Sequence, residues 1–189
     1  MAELPTLQPL DEVDMPVAAG AGGGRVIALI ASERAQAEGS APEAAHRLAA
    51  RWAAEGHRII LTDGGLDSPS LHLGAGIPNR EGLVDASLYG ASVASVSRPV
   101  DGYFLITAGT SVADPMSVVR APRWDRFRAG MADAGATLVI FLSDGAPCTP
   151  AFLGSVTDIV VLSTEGEAPD AIRDLEPLVR AVARPGVGA

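Results

Sequence analysis

The run Val26-Ile27-Ala28-Leu29-Ile30-Ala31 contains no polar residue, and this constrains the fold more than any other feature of the chain. A strand with one solvated face alternates apolar and polar side chains, whereas an unbroken apolar run of strand length is buried on both faces. Such a strand belongs inside a sheet that helices cover above and below. The residues that follow supply one of those helices. Ser40 is placed to cap it, Pro42 fits its first turn and Glu43 complements its dipole. Helical character continues to Glu55, with Ala45, Leu48, Ala49 and Trp52 on one face and Arg47 and Arg51 on another, and Gly56 ends it. Arg58-Ile59-Ile60-Leu61-Thr62 is a second buried strand. It closes a βαβ unit, for which a right-handed crossover is expected.

The pattern then repeats. A Gly/Pro/Ser-rich loop leads from Asp63 to Gly82, followed by a short helix from Leu83 to Tyr89 and a third strand from Tyr103 to Thr107. Helical sequence from Asp114 is interrupted near Pro122 and resumes from Trp124 to Ala134. Strands over Thr137 to Leu142 and Asp158 to Leu162 flank a weak helix around Ala151, and a closing helix is expected over Ala168 to Ala183. This alternation implies an α/β fold: a doubly wound, mostly parallel sheet of at least five strands with helices on both faces and the Val26 run inside. Residues 1–24 read as a flexible leader, broken by Pro5, Pro9 and Pro16, with a hinge at Gly20 to Gly24. Residues 25–184 form the domain, and 185–189 form a frayed tail.

Charge and composition exclude several function classes. The formal net charge is −9 and the basic residues are dispersed, which argues against nucleic acid as a partner. The one basic cluster is Arg120, Arg123, Arg126 and Arg128, read either as a solvated helix face or as an anion or acidic-protein site. All fourteen basic residues are arginine, so any mechanism that needs a lysine amine is excluded. Cys148 is the only cysteine, which rules out an intrachain disulfide and a multi-cysteine zinc site and suits a reducing cytoplasm. The acidic start Met1-Ala2-Glu3-Leu4-Pro5 does not have the pattern of a signal peptide, and no apolar run is long enough to insert into a membrane.

In a doubly wound sheet, ligands sit outside the carboxyl ends of the strands. Here those are the loops after Ile30, Asp63, Thr107 and Ser143. A phosphate site needs glycines after the first strand, so that backbone N–H groups converge, and a lysine for the β- and γ-phosphates. Ser32 to Ala41 offers only Gly39, with Glu33 and Glu38 adding negative charge. A helix N-terminus at Ser40 still leaves a partial positive charge. There is no Gly-x-Ser-x-Gly elbow. His46, His57 and His72 lack metal-ligand spacing; the first two read as surface residues and His72 as a loop residue. Neither a catalytic residue nor a metal site is expected.

The stretch from Arg51 to Asp85 resembles the bacterial tyrosine kinases (CpsD/CapB-like) of capsule and exopolysaccharide export, within the MinD/ParA superfamily of P-loop ATPases. The matching residues are Gly56, Arg58, Asp63, Pro69, Leu71, His72, Gly76, Pro78, Asn79, Gly82, Leu83 and Asp85. Phe104 to Gly109, Asp114-Pro115 and Val160 to Leu162 resemble later segments of that family, so the likeness spans residues 25 to 175. It implies a P-loop NTPase-like fold, here truncated. The departures fall on the chemistry. The family's Gly-Lys-Thr falls on Ser40-Ala41-Pro42, its upstream signature lysine falls near Gln36, and Gly65 stands where a second carboxylate belongs. Asp144 takes the second Walker carboxylate's place only with a shifted register. The family's arginine-rich lead-in to the first strand, its terminal strand ending in Asn and its C-terminal tyrosine cluster have no counterpart.

The resemblance therefore implies a pseudo-ATPase with vestigial nucleotide-site positions Ser40, Asp63 and Asp144, no cofactor expected, and a scaffolding or regulatory role in exopolysaccharide or capsule export. The expected partner is a membrane polysaccharide co-polymerase or another export-complex protein, or a second copy of the chain. Localisation is expected to be cytoplasmic, with recruitment to the inner membrane by that partner. ATP and Mg²⁺ enter only if the chain is a divergent kinase or ATPase with a rebuilt site, and a MinD/ParA-type positioning adaptor is the third reading. The loop from Leu66 to Gly82 either braces the domain or, with the Arg120 to Arg128 helix, docks a partner through His72, Arg123 and Arg126.

Overall fold

A computed structural model describes residues 4–16 and 25–186. The hinge expected at Gly20 to Gly24, and residues 187–189 of the expected tail, lie outside the described residues. Eight strands form one sheet in the order β1-β8-β7-β2-β6-β3-β5-β4. Five match the apolar runs: β2 (Val26–Ala31), β3 (Ile59–Asp63), β5 (Tyr103–Ile106), β6 (Thr137–Ser143) and β7 (Asp158–Leu162). β2 pairs in parallel with β6 on one side and β7 on the other, and all six of its residues are buried. The unbroken apolar run thus marks the centre of the sheet, as expected.

Two further strands replace segments expected to be something else. β1 (Leu7–Pro9) lies in the expected leader, yet it pairs in parallel with β8 (Val179–Arg184). Beyond it, Leu10, Val13 and Met15 are buried. Arg51 donates to the carbonyls of Leu10 (2.9 Å) and Val13, and the Trp52 indole N–H to Val13 (3.2 Å). The prolines that break a helix here are compatible with an edge strand, and this edge strand ends in Pro9. β8 overturns the closing helix. Pro177 removes a helical N–H and clashes with the preceding turn, so only single 3₁₀ turns form at Asp170–Ile172 and Glu176–Leu178. Val179, Ala181 and Val182 then face the core from a strand.

β4 (Arg98–Val100) pairs antiparallel with β5 across the Asp101-Gly102 turn, where both residues have positive φ (39° and 88°). This is the Asp-Gly hairpin chemistry of the primed turns. The exposed edge carries Arg98 and Pro99, which hinder pairing with another chain.

Alternation along the strands divides the core in two. On one face α2 (Ser40–Ala54) lays Ala41, Ala45, Leu48 and Trp52 on Ile27, Leu29, Leu61 and Tyr103, with α1 (Glu33–Ala37) and α3 (Leu71–Gly74) beside it. On the other, α4 (Val93–Val96), α5 (Met116–Arg120), α6 (Pro122–Asp133), α7 (Thr149–Leu153) and a π-helical turn at Asp85–Tyr89 cover Ala28, Ile30, Ile140 and Val161. Trp124 anchors this second layer, stacked on Phe127 (5.7 Å) and edge-on to Phe152 (5.3 Å).

Candidate functional site

The site expected from topology is the rim formed by the carboxyl ends of β2, β3, β5, β6 and β7. Asp63 ends β3 fully buried. One carboxylate oxygen accepts from the Gly65 amide (3.0 Å), the other from the amides of Ser70 and Leu71 (2.9 Å each). Burial pushes its pKa above the ordinary value, while the three amides and the neighbouring His72 pull against that rise. The carboxylate is committed to folding the Gly65–Leu71 loop back over the strand.

The loop after β5 is held in the same way. Asp85 accepts from the amides of Gly82 (2.9 Å) and Thr110 (3.0 Å) and from the Thr110 hydroxyl (2.6 Å), and Asn79 accepts from the Gly109 amide (2.8 Å). Leu83 and Val84 donate their amides to the carbonyls of Thr107 (2.8 Å) and Ala108 (3.0 Å). A Cβ on Gly82 would stand 2.1 Å from the Thr107 carbonyl oxygen, so this approach requires glycine. The Pro78-Asn79, Gly82-Leu83 and Asp85 pattern that carries the resemblance is thus a brace between two loops.

After β2 the chain forms α1, where the sequence suggested a loop. Ser32 caps that helix, its hydroxyl accepting from Ala35 N–H at 3.3 Å. The amides of Gln36, Glu38 and Gly39 donate to the carbonyls of Ser32 (3.0 Å), Arg34 (2.9 Å) and Gln36 (3.1 Å). Gly39, at φ 74°, provides the turn into α2 and occupies the cap position expected for Ser40. The Ser40 hydroxyl donates instead to the Ala35 carbonyl (3.3 Å). Arg34 is held between Glu38 and Glu165.

Glu167, which the sequence reading did not single out, reaches this point from the β7–β8 connection. Partial burial pushes its carboxyl up, but the hydroxyls of Ser163 and Ser32, together with backbone amides that include Glu165 N–H, hold it at about 2. No local sequence signal marks it, because Ser32 and Glu167 meet only through the pairing of β2 with β7. Asp144, after β6, accepts from the amides of Asp170 (3.0 Å) and Ala171 (3.1 Å). It is a staple for the same connection.

A cleft of about 630 Å³ opens beside the head of α2, lined by Gln36, Gly39, Pro42, Glu43, His46, Arg47, Ser70, Leu73 and Gly74. His46 forms part of its wall and is not a simple surface residue. Its Nε2–H donates to the Leu71 carbonyl (2.8 Å), so Nδ1 accepts from the Tyr103 hydroxyl (2.5 Å). Burial lowers its pKa, opposed by the Leu71 carbonyl and Asp101, which favours the neutral ring. Among the described residues, no group of three His, Cys, Asp or Glu side chains converges to hold a metal ion.

The remaining candidates lie on α3 and α6. His72 lies on α3, not in a loop, with Nδ1 buried and unpartnered. α6 carries Arg123, which donates to the Leu88 carbonyl (3.1 Å), and the exposed Arg126. Leu71 belongs to the core on the α2 face, and Trp124 and Phe127 to the core on the opposite face. α3 and the arginine helix thus pack on opposite faces of the sheet.

No protein-family model and no curated protein matches the chain. Solved structures do. The kinase domain of the Escherichia coli tyrosine kinase Etk superposes with a TM-score of 0.72 at 15% identity, over 88% of this chain and 69% of that one. The chimerical protein CapA2B2 gives 0.71 at 14% over 88% and 78%, and the BceF tyrosine kinase domain 0.64 at 21% over 85% and 68%. A cobyrinic acid a,c-diamide synthase from Mycobacterium smegmatis, solved with an ATP analogue and magnesium, gives 0.60 at 18% over 84% and 72%. At these identities the likeness is one of architecture: the chain carries the P-loop NTPase-like α/β fold found in bacterial tyrosine kinase domains.

Proposed function

We propose that this chain is a catalytically inactive P-loop ATPase or tyrosine-kinase-like protein that acts as a regulatory or scaffolding subunit in exopolysaccharide or capsule biosynthesis and export. One observation carries the reading: the segment after β2, where a phosphate cradle would lie, has the amides of Ala35, Gln36, Glu38 and Gly39 bonded within its own helix and turn. Phosphoryl transfer relies on preorganised donors aimed at developing charge. Here those donors are already used, and no lysine exists to supplement them. Asp63 and Asp144 accept hydrogen bonds from backbone amides. The partner under this reading is a membrane polysaccharide co-polymerase or another export-complex protein, which recruits the chain from the cytoplasm. Among the described residues, no helix is long and apolar enough to cross a membrane.

The cleft beside α2 favours a second reading, a nucleotide site rebuilt in a new place. Thermal denaturation with and without millimolar Mg-ATP or Mg-ADP decides between them. A ligand that binds only the folded state at a hundred times its Kd adds about 2.7 kcal/mol. In a chain of this size, that raises Tm by about 5–11 °C. No shift is expected, and a clear rise would establish the second reading.

A further inference from the structure

The segment from His72 to Ile77 hangs between two fixed points. Asp63 secures the near end by accepting from the Ser70 and Leu71 amides, and Asn79 secures the far end by accepting from the Gly109 amide. Between them, the amides of Leu73, Ala75, Gly76 and Ile77 donate to the carbonyls of Ser70, Leu71, Leu73 and His72, all within the segment or just before it. Its tie to α2 is His46, whose Nε2–H donates to the Leu71 carbonyl (2.8 Å). The backbone packs directly on that ring, since a Cβ on Gly74 would stand 3.0 Å from His46 Cδ2. Ser70, Leu73 and Gly74 line the 630 Å³ cleft from this flap, and Gln36, Pro42 and His46 line it from α1 and α2. His46 therefore bridges the two walls.

The bridge is built for a neutral ring. Nδ1 accepts from the Tyr103 hydroxyl at 2.5 Å, whereas a protonated imidazole donates from both nitrogens. A proton on Nδ1 would set two donors against each other. The hydroxyl would have to turn its hydrogen into the core, where Tyr103 is only 2% exposed, and an unpaired buried donor is costly. Tyr103 does not escape by ionising, because burial and Asp101 push its hydroxyl above the ordinary range. Burial also lowers the His46 pKa from the ordinary 6.5, opposed by the Leu71 carbonyl and Asp101. The other ionisable groups around the flap are Glu43 and Arg47, exposed on α2, His72 on α3, and Asp63, which holds the amide of the same Leu71. Among the described residues, none of these four bonds to the His46 ring.

We propose that His46 is a pH-sensitive latch on the His72–Ile77 flap: its neutral ring holds the flap against α2, and its protonation releases the Leu71 carbonyl and opens the cleft. The sign follows from linkage. A histidine whose pKa is lowered in the closed state favours that state above the ordinary 6.5. It loses that contribution as pH falls through the closed-state value. The cleft is closed at neutral pH and opens in mild acid.

Amide hydrogen exchange on the full chain tests this, with each rate corrected for its intrinsic dependence on pH. A single helical turn is not stable by itself, so the Leu73–Ile77 amides exchange once the flap leaves α2. Their protection is expected to fall about threefold or more between about pH 7.5 and about pH 5, while the amides of β2 and β6 keep theirs. His46→Gln, which still donates to Leu71 but cannot ionise, should abolish the pH response, and His72→Gln should preserve it. An NMR titration of the parent should place the His46 pKa below 6.5. A value at or above 6.5 would overturn the proposal. So would protection that stays flat in the parent, falls equally in β2 and β6, still falls in a folded His46→Gln, or stops responding in His72→Gln. The parent titration and exchange leave His46 in place, so the proposal stays open to refutation even if His46→Gln misfolds.

Discussion

Glu167 shows how much of this rim depends on individual side chains. Its carboxylate is held by Ser163, Ser32 and backbone amides, and its pKa falls from the ordinary 4.5 to about 2. A carboxyl depressed in the folded state stabilises the fold above its unfolded pKa, and that contribution is lost as pH falls through the folded value. The parent protein should therefore lose stability from about pH 4.5 down towards pH 2. Glu167→Gln, which keeps an acceptor but cannot ionise, should be less stable at pH 7 and show a flatter acid limb. Urea denaturation at stepped pH measures both, and parallel acid limbs would remove Glu167 from this role. Asp63 is the contrasting case, because burial raises its pKa against the pull of three amides. A carboxylate at the end of a buried strand is legible in sequence. Which amides it binds is not, since they depend on the path of the following loop.

At the scale of elements, strands were the legible part because their signal is local. An apolar run of five or six residues states its burial, and β2, β3, β5, β6 and β7 fall where such runs lie. The segments around Leu7 and Val179 lack that signal, and each is a strand chiefly because the other lies beside it. Pro177 cannot continue a helix, and the expected closing helix gives way to a 3₁₀ turn and β8 there. The candidate site was less legible than the fold, because its residues work through bonds between loops. The brace at Gly82 tests that view. Gly82→Ala forces a Cβ to within 2.1 Å of a backbone oxygen, so the Leu83–Thr107 contact must open. The expected cost is about 2–4 kcal/mol, or a fall in Tm of about 4–16 °C. Differential scanning calorimetry would detect it, and an unchanged Tm would mean that the brace carries no stability.

Across the whole molecule, the fold is the one found in bacterial tyrosine kinase domains, and the amides after β2 bond within α1 and its turn. A phosphate loop needs a free cradle of amides and a mobile cation together, and these requirements are separable by mutation. The resemblance places the family's lysine at Ala41, which is fully buried on the sheet-facing side of α2 among Ala44, Ala45 and Leu48. Ala41→Lys supplies an amine to this lysine-free chain but leaves the Ala35, Gln36, Glu38 and Gly39 amides bonded within α1 and the turn after it. Burying an unpaired ammonium is costly, so the variant should melt lower than the parent and gain no Mg-ATP-dependent rise in Tm. Gln36→Lys, at a half-buried position beside the cleft, separates misfolding from lack of binding, because the longer side chain can carry its amine out to water. If either folded variant acquired a nucleotide-dependent shift, a lysine there would suffice for nucleotide binding. If neither does, the geometry after β2 is the deeper barrier, because α1 and its cap would have to unwind before any cation there could act on a phosphate.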